Sequence, residues 1–312
     1  FNNEDEFTDQ NQTLNGINNS GSTFIADLFE EKKTTYGSVD YRFNNEKTSL
    51  TLGTEFEEQN QDFGLANLSN INKKYSSVNP SFRFRYSPKK GMWYFVRYRK
   101  SLNLPSLSRV SPVVNNFNPL FIRQGNQNLT PENNHSVFGM FGNYNFVTGF
   151  SFMTHVSYNY TDNAIVNSES TDIATRVRTS SYVNLGSKES FSADVNFSNR
   201  VKKMGIRYNL GFNFSLSDYQ SVINGVNNGT NTANSSIRAT IENNKKEFLD
   251  LSVGANISEN LTTFTGSASD RKYIQQSYFI KSDWNVTKAF NINSQFKYDI
   301  YTDSNFGTDQ SV

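Results

Sequence analysis

Several things are scarce in this chain of 312 residues: there is no cysteine, and only six prolines, two histidines and two tryptophans. Without cysteine, disulfides and thiolate metal sites are excluded. The 30 basic and 29 acidic residues nearly cancel, so no basic excess exists to neutralise phosphates, and a nucleic-acid partner is not expected. No apolar run approaches the roughly 18 residues of a membrane-spanning helix. The opening stretch "FNNEDEFTDQNQ" has no resemblance to a secretory leader. Hydrophobic residues make up 35 % of the chain, below the usual share of about 45–50 %, which also counts glycine. Yet 14 % are aromatic, which is unlike disorder and favours β-structure.

What the chain does have is alternation. In "GIRYNLGFNFSLSDYQ", residues 205–220, every second position from Ile206 to Leu216 is apolar or aromatic. Twelve stretches show this period of two, near 33–44, 48–60, 74–87, 91–102, 133–146, 150–163, 175–200, 205–220, 233–243, 247–260, 271–286 and 289–302. None carries a helical stripe. Short connectors ("NNEK" at 44–47, "SPKKG" at 87–91, "VTG" at 147–149, "KKMG" at 202–205, "NNKK" at 243–246, "TKA" at 287–289) alternate with longer polar ones at 61–73, 103–132, 164–174, 221–232 and 261–270. An up-and-down meander with one trimmed end and one elaborate end is the layout of an outer-membrane barrel.

The two faces of these strands differ in chemistry. One carries Val39, Tyr41, Phe43; Phe82, Phe84, Tyr86; Phe138, Met140, Tyr144; Phe191, Val195, Phe197; and their equivalents, with no charge. The other carries Asp40, Arg42, Glu55, Arg83, Arg85, Arg97, Asp194, Arg207, Arg238, Asp250, Lys281, Asp283, Lys297 and Asp299. In a soluble sandwich the oily face packs inward; in a membrane barrel it meets lipid. Strand length decides for the membrane: Ile206 to Leu216 is 11 residues, against about 9–11 to cross a bilayer at 45° and about 5–6 in typical strands. Phe43, Tyr86, Tyr160, Trp284 and Phe290 fall where interfacial girdles are expected. Pro80 cannot donate to a ladder, so it is expected above the bilayer or at a bulge.

The fold class expected is therefore all-β, a transmembrane antiparallel up-and-down barrel. Residues 1–32 read as an extracellular loop or extended segment, 33–302 as barrel with 103–132 its longest loop, and 303–312 as the start of another loop. Because the first strand runs down to a tight turn and the last runs up, both ends are expected outside the cell, as in one part of a larger barrel.

Candidate chemistry is sparse. With a turn at 147–149, His155 falls opposite about Phe141 and His135 lies about six residues, or about 20 Å, further along, so the two cannot share a metal. Arg83, Arg85, Arg97 and Arg99 stand on adjacent strands facing inward. They read either as a basic stripe that attracts an anionic solute or anchors a plug, or as charges neutralised by acidic residues of neighbouring strands or of a plug. No nucleophile–base pair, metal site or cofactor site is apparent, so an enzyme is not expected.

The loop sequence "LPSLSRVSPVVNNFNPLFIRQGNQNLTPENN" adds a resemblance. Its "GNQNLTPE" segment resembles the "GNPxLxPE" that opens a strand in the barrels of TonB-dependent receptors, and of the outer-membrane-barrel branch common in Bacteroidetes. Gly125, Asn126, Asn128, Leu129, Pro131 and Glu132 match, while Gln127 stands for the usual proline. On residues alone the segment reads as a turn, a rigid Pro131 and a strand entry. The resemblance implies a complete barrel of 22 strands with a plug and a TonB box. It implies energised import of a scarce solute such as an iron chelate, glycan or peptide across the bacterial outer membrane. It also implies lipid and lipopolysaccharide around the wall, TonB engaged through a segment not in this chain, and a surface lipoprotein or other outer-membrane subunit as a further partner. Two other readings remain open: a structural or accessory barrel subunit without transport, and a passive porin.

Overall fold

A computed structural model describes residues 2–17, 23–65, 71–111, 113–243, 248–266, 269–287, 290–304 and 307–311. The wall is built from β1 (Asn2–Ile17), β2 (Thr23–Asn44), β3 (Thr48–Leu65), β4 (Ile71–Lys89) and β5 (Met92–Asn103). After the longest loop, which holds a helical turn α1 (Leu107–Val110) and short strands β6 (Val114–Asn118) and β7 (Phe121–Gln124), come β8 (Glu132–Asn145) and β9 (Phe150–Asp162). A second elaborate loop holds β10 (Ile165–Thr171) and β11 (Arg178–Asn184). The wall then continues through β12 (Ser187–Val201), β13 (Ile206–Ile223), β14 (Val226–Asn243), β15 (Leu249–Phe264), β16 (Arg271–Thr287), β17 (Phe290–Asp303) and β18 (Gly307–Ser311). Each wall strand pairs antiparallel with the next, β5 joining β8 and β9 joining β12 across the two loops.

The register makes the two faces continuous. Tyr41, Leu52, Phe82 and Tyr98 are successive cross-strand partners, as are Tyr158, Phe191, Leu216 and Ala233. These residues look away from the lumen, and many are bare: Tyr41 is 60 % exposed and Ile237 58 %. A charged side chain here would cost roughly 2–4 kcal/mol at the bilayer midplane, which accounts for its uncharged composition. Eleven residues rising about 3.4 Å each at a 45° tilt cover about 24 Å, the height of an outer-membrane apolar band. Phe43, Tyr86, Trp284 and Phe290 ring its tight-turn edge, all outward and exposed. Tyr160 marks the opposite edge, beside His135 and Tyr98.

Two of the described tight turns are held by asparagine, and the other two carry a glycine at positive φ, Gly91 (83°) and Gly205 (64°). Asn45 Oδ1 accepts from the N–H groups of Lys47 (2.9 Å) and Thr48 (2.7 Å), and Asn145 Oδ1 from those of Val147 (2.9 Å) and Thr148 (3.2 Å). Most of the turns expected at 243–246 and 287–289 lies outside the described residues.

The structure corrects five sequence expectations. First, the apolar phase on β8 is shifted by one. Tyr94, Val96 and Tyr98 pair with Phe141, Gly139 and Val137, so those three face lipid, while Phe138, Met140 and Tyr144 face inward. Both faces of β8 carry aromatics, so alternation alone is ambiguous there. Second, the connectors expected at 61–73, 221–232 and 261–270 are much shorter. The strands simply continue upward, and β13 passes to β14 through Asn224 (φ 49°) and Gly225 (φ 78°) alone. That two-residue Asn-Gly hairpin turn suits the twist of the strands. Above the bilayer both faces meet water, so the ladder persists without alternation. Third, 175–200 is two strands, β11 and β12, separated by a turn at Gly186 (φ 56°). Fourth, residues 1–32 contribute a further wall strand. Fifth, the ends do not lie at the long-loop side: Asn2 pairs with Ser38 near the tight turn after β2, and Ser311 pairs with Asp299 within the band.

Pro80 sits on β4 opposite Thr54. Pairing of β4 with β5 begins one residue later, at Ser81 with Arg99, and the carbonyl of Val78 is taken by Lys100 Nζ at 3.2 Å. Backbone groups two residues apart point the same way in a strand. The absent N–H of Pro80 therefore faces the β5 side, where the ladder has stopped.

Candidate functional site

Two features stand out on the inner side: a loop cap with the hydrophobic core, and a charged stretch of wall below it.

The core cluster of buried residues comprises Phe63, Leu107, Val110, Val113 and Leu129, with Ile71, Ile165 and Tyr182 packed against it. It sits under the loop between β5 and β8, not in the wall. Phe63 is on the inward side of β3, so the loop folds inward against the strand tops, and β6 approaches β1. Buried Gln61 donates through Nε2 to Glu30 Oε1 (2.5 Å) and to the carbonyl of Pro105 (3.1 Å), tying the loop to β2 and β3.

The "GNQNLTPE" residues build the hinge of this cap. Gly125 lies so close to the Ser111 carbonyl that a Cβ would stand 2.4 Å from it. Asn126 donates its N–H to the carbonyl of Arg109 (2.7 Å) and its Nδ2 to that of Tyr182 (2.8 Å), and accepts from the N–H of Asn128 (2.9 Å). Leu129 is fully buried in the core. Lys73 Nζ donates to the carbonyls of Gln127 and, at 3.0 Å, Leu129; burial lowers its pKa. Asn163 Nδ2 holds the Pro131 carbonyl (2.8 Å), and Glu132 Oε1 accepts from the N–H of Ile165 (2.7 Å). Every matched residue except Asn128 and Pro131 thus spends a side-chain group or its lack of one on assembly.

The stretch of wall lies on β2 to β5. Arg83 is the direct cross-strand partner of Arg97, and Ser81 of Arg99; Arg42 pairs with Thr51, itself opposite Arg83. Arg42, Arg83, Arg97 and Arg99 line a cavity of about 340 Å³ together with Asp40, Glu55 and Asn79. Arg42 binds Asp40 at 2.9 Å. Among the described residues, Arg83, Arg85, Arg97 and Arg99 make no ion pair, and all four are exposed to the lumen. The expected neutralisation by neighbouring acids is thus not seen in the described wall.

Beside the arginines is an inward aromatic surface that periodicity missed. Phe95 meets Phe138 edge-on at 6.0 Å, Phe138 stacks on His155 at 6.1 Å, and the Arg97 guanidinium lies 5.9 Å from the Phe138 ring. Trp93 covers Gly142, where a Cβ would meet the indole at 2.4 Å. The signal in the sequence was the oily residues on the nominally polar phase of β5, Trp93 and Phe95.

The histidines are separate. His155 pairs with Met140, one residue from the expected Phe141, and faces inward, where its Nε2 lies 3.0 Å from Asp194 Oδ2. His135 faces outward, its Nδ1 bonded to Tyr98 Oη at 2.9 Å. Among the described residues no group of three or more His, Asp or Glu is placed to hold a metal.

Comparison with solved structures gives the siderophore receptor PirA from Pseudomonas aeruginosa, at 12 % identity and a TM-score of 0.43, covering 96 % of this chain and 63 % of that one. PirA from Acinetobacter baumannii matches at 11 % identity and a TM-score of 0.43, covering 96 % and 59 %. A loop-deletion form of OmpT, an outer membrane protein of Vibrio cholerae, matches at 8 % and 0.31, covering 97 % and 94 %. The chain therefore spans about three fifths of the receptors' length. No curated protein matches its sequence. A family model matches residues 1–311, nearly the full two-faced wall and its cap. On that match the chain belongs to the outer membrane protein β-barrel family, and its place is the bacterial outer membrane.

Proposed function

We propose that this chain is barrel wall and mouth of an importer, moving a scarce solute such as an iron chelate, glycan or peptide inward across the outer membrane. The observation that carries the reading is the cap: a loop with its own hydrophobic core folds inward over a charged lumen. An open passive pore has no need of a cored lid at its mouth. The energy source rests on the resemblance of "GNQNLTPE" and the strand layout to TonB-dependent receptors; TonB would engage a segment other than this wall. The protein does no covalent chemistry in this reading, and lipopolysaccharide surrounds the outward band.

The test is accumulation. Cells with and without the whole protein are given a mixture of iron chelates, oligosaccharides and peptides, and cell contents are compared by mass spectrometry. Import predicts at least one solute that accumulates only with the protein and is lost when an uncoupler collapses the proton gradient. Accumulation that survives the uncoupler marks a passive porin, and none at all marks a structural subunit.

A further inference from the structure

We infer that the cavity on β2 to β5 is an oxyanion site, built by Arg83, Arg97 and Arg99 with Arg42 at its edge, that takes carboxylate or phosphate groups. The inference rests on the reading that this face lines a water-filled lumen.

The argument starts from charge. Arg83 and Arg97 are directly opposed across the strands, where Cβ atoms stand about 4.5–5.5 Å apart and like charges destabilise the pair. Lining the cavity are four guanidinium groups (Arg42, Arg83, Arg97, Arg99) and two carboxylates, Asp40 and Glu55, with Arg85 two residues along β4 from Arg83. Asp40 is engaged by Arg42. Relief does not come from the next strands. The inward residues of β8 beside the cavity are Ser136, Phe138 and Met140, and the partners beyond them on β9 are Asn159, Ser157 and His155. The nearest further acid among the described residues, Glu57 on β3, is held by Asn79 Nδ2 at 2.7 Å and Ser77 Oγ, and Asp194, beyond β9, is held by His155 and by Asn213 Nδ2 at 2.9 Å. Glu132 is held by the cap. A repulsive cluster kept in one concavity, facing solvent and flanked by low-dielectric wall, concentrates a positive potential there.

Guanidinium forks match carboxylate and phosphate oxygens two at a time. Arg83 and Arg97, on neighbouring strands, can each present a fork to one anion, with Arg99 two residues above Arg97. The cavity's volume of about 340 Å³ suits a small polyanion or the end of an acidic chain. Such groups have two sources: a free solute passing through, or acidic side chains of a polypeptide segment seated in the lumen.

Purified whole protein in detergent is titrated at low salt with tripolyphosphate and, separately, with a ten-residue glutamate peptide, following binding calorimetrically. The same titrations are run on Arg83→Ala/Arg97→Ala and on the charge-keeping Arg83→Lys/Arg97→Lys. The expected result is saturable, salt-sensitive binding of at least one probe. It should weaken about tenfold or more in the alanine variant, as loss of charge-assisted bonds implies, and recover in part in the lysine variant. Binding of tripolyphosphate alone identifies a small-solute site; binding of the peptide alone identifies a seat for an acidic segment. No binding of either, or equal binding by a correctly folded alanine variant, overturns the inference while leaving the import reading standing. Failure of the import reading shows instead in the uptake experiment above.

Discussion

At the scale of single residues, the family-like loop motif is architecture rather than chemistry. Leu129 fills the cap core with no exposure, and truncating such a leucine costs about 2–5 kcal/mol. Leu129→Ala should therefore loosen the cap while sparing the wall: protease cleavage within 103–132 accelerates, and the heat-modifiable band of the folded barrel on gels is unchanged. Asp172 offers a second test. Its carboxylate accepts the N–H groups of Thr175 and Ala174 at 2.9 and 2.8 Å, and those bonds, Thr175 first, hold its pKa below the ordinary value. A depressed acid contributes stability above its unfolded value that is lost as pH falls through the folded one. The Thr175 amide signal should thus titrate with a midpoint below that of a free aspartate, and Asp172→Asn should abolish the titration. The motif was legible in the sequence as a turn and strand entry, but its partners were not. Asn126 and Lys73 make bonds to Tyr182 and Leu129 that span 56 residues each, and no local pattern encodes such distances.

At the scale of the strand, alternation identified twelve of the wall strands because lipid imposes one uncharged face on each. It failed where that constraint is absent or doubled. Above the band, water touches both faces, so the upper parts of β13 and β14 look like loop. On β8, aromatics fill both faces, and only the register with β5 assigns the phase. This assignment is testable by insertion of charge. Phe141→Lys should cost roughly 2–4 kcal/mol if near the midplane and reduce assembly into outer membranes, whereas Phe138→Lys, three residues away and inward, should assemble normally apart from repelling Arg97. A defect in Phe138→Lys with normal assembly of Phe141→Lys would return β8 to the opposite phase. The tight turns at 44–47 and 87–91 were read correctly because Asn45 and Gly91 carry their own local signals: a side-chain cap at the first and a φ of 83° at the second.

At the scale of the whole molecule, the outward band has no protein partner among the described residues, and its large side chains, such as Phe56 at 54 % and Phe296 at 53 % exposure, form a patch far larger than soluble monomers carry. The purified protein should remain monodisperse only with detergent or lipid, and light scattering after its removal should show aggregation. The inner side was harder to foresee. Charges there were visible in the sequence, but whether each finds a partner depends on which strands become neighbours across the loops. The joining of β5 to β8 puts Phe138, not a carboxylate, opposite Arg97.

The hairpin of β13 and β14 has one more consequence. Beyond Leu216 it climbs seven residues to Ile223, which at a 45° tilt is about 17 Å of paired backbone. Its tip at Asn224 and Gly225 is therefore a rigid mast rather than a floppy tether. Since the chain contains no thiol of its own, Asn224→Cys supplies a single handle at that height. A bulky membrane-impermeant maleimide should tag it on intact cells, turning the hairpin tip into a fixed beacon for the outer side of the wall.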